Sequence, residues 1–208
     1  MTLREDNTQA LITLLQKAGT SQAGALALVD AGVDVTATAS DGMGLLSLAA
    51  KRAMSDVVAR LIAAGADVNH RDHCGKTPLM WATWNDSALS IIKLLNAGAE
   101  IDAQSDRGGT VLMEAAWRGQ SNIVSVLLLR GADPTIAQYD EKNASYSTAA
   151  DIALEGNHPD VADLIRAGVA AFAEKQKWLA AQKHIRQGLP LREKTTPVRK
   201  IAFRKAGP

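Results

Sequence analysis

Trp84 and Trp117 stand 33 residues apart, and Lys51 lies the same step before Trp84; the position after each gives Arg52, Asn85 and Arg118. A step of 38 residues beyond Trp117 reaches Glu155. Large aromatics interleaved with cations have the composition of a protein-contact hot spot, in which flat apolar area and a directional charge act together. A second reading stands beside this one: each indole lies flat over its neighbour and fills a gap left by small alanines. His70, His73 and Cys74 form the other chemically capable group, since imidazole and thiolate are zinc ligands. Zinc needs a fourth ligand, and no C-x-x-C pair or paired-histidine helix supplies one, so the group reads as an exposed turn. No metal and no cofactor are expected. The chain also has no Gly-rich phosphate loop, no G-x-S-x-G elbow and no H-E-x-x-H helix, so the reading is not an enzyme and assigns no small-molecule substrate.

These residues are positioned by a repeat. Gly65-Ala66-Asp67 returns as Gly98-Ala99-Glu100 and as Gly131-Ala132-Asp133, while Gly42, Gly75 and Gly108, and Ala49, Ala82 and Ala115, keep the same step. A unit this short cannot bury an apolar face alone, so copies must stack and present a long open surface. Within a copy, Thr77-Pro78-Leu79 starts a helix, with threonine as N-cap and proline at the first helical position. Ile91, Ile92, Leu94 and Leu95 form a second helix that Gly98 ends, since glycine tolerates the left-handed conformation needed there. Val57, Val58, Leu61 and Ile62 before Gly65, and Ile123, Val124, Val126, Leu127 and Leu128 before Gly131, follow the same logic.

The segment Gly75-Lys76-Thr77-Pro78-Leu79-Met80-Trp81-Ala82, with Gly-Ala-Asp-Val-Asn at 65–69, resembles the ankyrin repeat, and the resemblance covers roughly residues 8–168. It implies an all-α solenoid of about five stacked helix pairs, with hairpin-like fingers along one edge, that recognises proteins and has no active site. A domain at 1–168 then comprises a degenerate N-terminal cap over about 8–37 and repeats over about 38–70, 71–103, 104–136 and 137–168. The resemblance also places the tryptophan stripe on the concave groove. Trp81 stands in another register, next to Ala82, and is expected to be partly buried between copies as part of the core. Departures from the family pattern are visible. Ser47, Met80, Met113 and Asp151 occupy the position usual for histidine, and Gly44-Leu45 and Thr110-Val111 replace the Thr-Pro start.

The last copy begins at Thr148, 38 residues after Thr110, so five extra residues lengthen the loop around Tyr139 to Ser147. Insertions in repeat proteins fall in loops, often on the binding side, which adds Tyr139 and Tyr146 to the candidate contacts. Val161, Leu164, Ile165, Val169, Phe172 and Leu179 continue at helical spacing past Gly168. The expectation is a C-terminal helical extension at 169–188, with Trp178 anchoring it to the stack, followed by a basic, disordered tail at 189–208 that carries Arg199, Lys200, Arg204 and Lys205.

Charge divides along the same line. Residues 1–168 hold 13 Lys and Arg against 20 Asp and Glu, and residues 169–208 hold 10 against 2. The leading reading is therefore a non-enzymatic adaptor, scaffold or inhibitor, expected to be monomeric, that binds a protein partner through Lys51, Arg52, Trp84, Asn85, Trp117, Arg118 and Glu155. The alternative makes the tail the working part, binding nucleic acid, an anionic membrane surface or an acidic protein while the repeats present it. A third reading has the basic tail occupying the acidic body. Mixed charge in Met1 to Asn7 with no apolar run behind it, and a single cysteine, point to the cytoplasm. Export into a host cell by a C-terminal or uncleaved signal would leave the same start.

Overall fold

The computed structural model describes residues 2–17, 21–140 and 145–186. Its chain divides into two units, Met1–Phe172 and Ala173–Pro208. In the first unit, helix pairs arise where capping residues and apolar spacing agree. Leu3–Gln16 (α1) and Gln22–Asp30 (α2) make the first pair, and Leu45–Lys51 (α3) and Ser55–Ala63 (α4) the second. Pro78–Ala82 (α5), prolonged by a 3-10 turn at Thr83–Asn85, pairs with Ala88–Asn96 (α6), and Val111–Trp117 (α7) with Ser121–Arg130 (α8). Ala149–Glu155 (α9) then leads to Pro159–Arg186 (α10).

Helix starts are stronger than the missing prolines imply. Thr77 accepts a hydrogen bond from the Met80 N–H, and Thr110, without a proline after it, does the same for Met113. Thr148 forms a capping box with Asp151. Each such cap is worth about 1 kcal/mol. Gly44, with no side chain, gives α3 no cap of this kind. At the other end, Gly32, Gly65, Gly98 and Gly131 all have φ between 90° and 95°, and the following N–H of Ala66, Ala99 and Ala132 turns back to the carbonyls of Leu61, Leu94 and Leu127. This Schellman closure needs a residue free to be left-handed.

Packing runs in two layers. The first helices follow one another as α1, α3, α5, α7 and α9, and the second as α2, α4, α6 and α8. Ala49, Ala82, Ala115 and Ala153, all wholly buried, let the first layer close up, while Val57, Leu61, Ile91, Leu94, Ile123 and Leu127 fill the space toward the second. Each large aliphatic side chain so buried contributes about 1.5–3 kcal/mol. Gly168 lies inside α10, and a β-carbon there would sit 2.8 Å from Leu128 Cδ1, so the glycine permits close approach to α8. Val161, Ala162 and Ile165 of the same helix are fully buried.

One element was not foreseen. The lengthened finger of the last copy is a two-stranded antiparallel hairpin, Ala137–Asp140 (β1) paired with Ser145–Thr148 (β2), with Tyr139 opposite Tyr146. Tyrosine and threonine suit a pleated surface, and facing aromatics stabilise a strand pair, so the added length is used as ladder. In the second unit, residues 173–186 are helical and Trp178, expected as an anchor, is 58% exposed. Among the described residues, no helix is long and apolar enough to cross a membrane.

Candidate functional site

The 3-10 turn after α5 sets the site. It carries Trp84 out to 47% exposure, and Asp86 closes it in the left-handed region at φ 52°. Trp84 leans on Trp81, with ring centroids 5.7 Å apart and planes inclined by 48°. Lys51, the last residue of α3, places Nζ 4.4 Å from the centre of Trp81 and 5.3 Å from that of Trp84. From the following copy, the Arg118 guanidinium carbon lies 4.4 Å from the Trp84 centre. Trp84 thus carries cations from the copy before it and the copy after it, at distances where the negative π-face attracts charge.

Trp81 packs against the core as its register implies, and it has a polar side as well. It is only half buried, and its indole N–H donates to Asp72 Oδ2 at 2.8 Å. The other Asp72 oxygen accepts from the N–H groups of Cys74 and Lys76, both at 2.9 Å, so one buried carboxylate fixes the finger turn and the ring together. Lys76 Nζ lies 5.1 Å from the Trp81 centre and pairs with Glu114 Oε1, whose second oxygen is 3.6 Å from Arg118. Asp72, Lys76, Trp81 and Glu114 were not among the expected site residues. Their separations, such as the nine residues from Asp72 to Trp81, belong to the fold of a finger against a helix and follow no helical or strand period.

Other expected residues are divided between tasks. Arg52 donates through Nε to the Leu15 carbonyl at 2.8 Å and through its terminal nitrogen to Gln16, capping carbonyls at the end of α1. Asn85 Nδ2 donates to the Lys51 carbonyl at 2.5 Å, the same service to α3. Both side chains join copy to copy. Trp117 ends α7 at 53% exposure, and its carbonyl would lie 2.7 Å from a β-carbon at Gly156, so the last copy rests against it. Glu155 accepts a hydrogen bond from the Ser147 hydroxyl at 3.4 Å, which ties the end of α9 to the hairpin. On that hairpin the Tyr139 and Tyr146 rings are 5.2 Å apart and exposed. At the base of β2, the Thr148 hydroxyl and N–H hold the Asp151 carboxyl below the usual carboxylate range.

His70 and His73 serve the stacking of fingers. His70 Nε2 is 2.9 Å from the Gly42 carbonyl, and a β-carbon on Gly42, itself at φ 78°, would fall 2.4 Å from the His73 ring. Cys74 is exposed, and no group of three potential metal ligands occurs among the described residues. Arg199, Lys200, Arg204 and Lys205 lie outside the described residues.

No curated protein matches the chain. The family model described as ankyrin repeats, three copies, matches it over residues 17–105 and again over 46–138, which together span more than half its length. With that match and the stacked helix pairs, the chain belongs to the ankyrin-repeat family.

Proposed function

We propose that the protein is a non-enzymatic adaptor, scaffold or inhibitor that holds a protein partner along the strip running from Lys51 through Trp84 and Trp117 to Glu155. Ankyrin repeats are in general protein–protein interaction modules. The observation that carries the reading is the pair of half-exposed indoles, Trp84 and Trp117, at repeat-equivalent positions on adjacent copies. Aromatics of this size kept partly in water bury much apolar area once a partner covers them. Arg118 frames Trp84, Arg52 and Asn85 keep the strip in register, and Tyr139 and Tyr146 extend it along the hairpin. Rigid helices lose little conformational entropy on association, so an open surface suffices without a deep cavity.

The test is the double variant Trp84→Ala, Trp117→Ala, checked for folding by circular dichroism. A partner captured by the wild-type protein is expected to lose at least about 2 kcal/mol of binding, the scale of a hot-spot truncation. Equal binding by the folded variant removes the strip from the reading.

A further inference from the structure

We infer that the segment bound across Trp84 is acidic, an extended stretch of a partner protein whose carboxylates meet Lys51 and Arg118 while an apolar side chain covers the indole; the inference rests on the strip proposed above. Charge accounting around the two rings supports it. Lys51, Lys76 and Arg118 approach the indoles, and Glu114 is the carboxylate that pairs with Lys76 and Arg118. Asp72 is consumed by the Trp81 N–H and two backbone N–H groups. Among the described residues no carboxylate pairs with Lys51, whose ammonium faces only aromatic rings. The Arg118 side chain is 27% exposed beside the ring, so the part of its guanidinium left in water can meet a partner's carboxylate while Glu114 holds it in place.

The surroundings sharpen this choice. Residues 1–168 carry seven more acidic than basic side chains, from 20 against 13, so an acidic segment is repelled by most of the body and drawn to this strip. Carboxylate is favoured over a nucleic-acid backbone because the cations are few and separated by indole faces, whereas a polyphosphate chain calls for a continuous basic groove.

The experiment is selection of a displayed random-peptide library on the full-length protein, beside Lys51→Gln/Arg118→Gln and Lys51→Arg. Peptides selected by the wild type are expected to be enriched severalfold in Asp and Glu over the input library, and their affinity to fall as sodium chloride rises. The enrichment should vanish in the double variant and persist in Lys51→Arg, which keeps the charge over the rings. Selected peptides no more acidic than the input overturn the inference, as does acid enrichment that survives in the double variant. Binding of a single-stranded DNA oligonucleotide that depends on Lys51 and Arg118 and displaces the peptides also overturns it. If non-acidic peptides are selected and Trp84→Ala/Trp117→Ala loses them, the strip stands and only its preference for acid falls.

Discussion

Replacing Asp72 with Asn tests whether a single carboxylate holds the finger and the aromatic site together. An asparagine can offer its oxygen to the N–H groups of Cys74 and Lys76 or to the Trp81 N–H, but not to both sides. Its amide nitrogen then faces a donor where the carboxylate accepted at 2.8 Å. At least one bond to a charged acceptor is lost, worth about 1.5–3 kcal/mol, and the half-buried indole N–H is left to find water. We expect Asp72→Asn to lower stability by about 2 kcal/mol in urea unfolding followed by far-ultraviolet circular dichroism. The same substitution in a Trp81→Phe background, where no indole N–H remains, should cost roughly 1 kcal/mol less, a coupling that a double-mutant cycle isolates. A loss under about 0.5 kcal/mol, or a cycle with no coupling, would refute the claim that this bond positions Trp81.

Gly119→Ala forces alanine to φ 67° and sets a β-carbon 2.4 Å from His158 Nδ1, so a loss of about 2–4 kcal/mol is expected by thermal or urea unfolding. A His158→Ala background should retain only the conformational share of that loss, about 1 kcal/mol. Arg52→Ala removes the donors to Leu15 and Gln16 and should cost about 1–2 kcal/mol of stability, measured by urea unfolding. The lowered Asp151 carboxyl contributes stability that is present above the ordinary carboxylate range and lost as pH falls through its own lower value; Thr148→Val should move its titration, followed by nuclear magnetic resonance, back up. An unchanged midpoint would show that the threonine is not the cause.

What could be read from the residues alone was whatever is local or periodic. The recurring Gly-Ala-Asp set the spacing of the stack, and the alanines at 49, 82 and 115 marked where helices close up. Capping chemistry placed the start of α5 within a residue. Contacts made between copies were out of reach, because the spacing of Asn85 from Lys51, or of Arg52 from Leu15, carries no local pattern. Trp81 was legible as a partly buried ring and not as a hydrogen-bonded one. Its neighbours Met80 and Ala82 are buried, yet a finger nine residues back supplies a polar partner that holds the ring at the edge of the core. The hairpin was legible as added length and not as strand, since the pairing of Tyr139 with Tyr146 is a contact that the pattern of neither segment announces.

Trp84 is touched by Lys51 from one neighbouring copy and by Arg118 from the other. Its indole therefore straddles two junctions at once, and in a stack whose members feel only their neighbours it is a built-in strain gauge. A load that flexes the array at either junction changes how a cation sits on that ring, and the emission of a variant that keeps Trp84 as its one tryptophan is the place to read it.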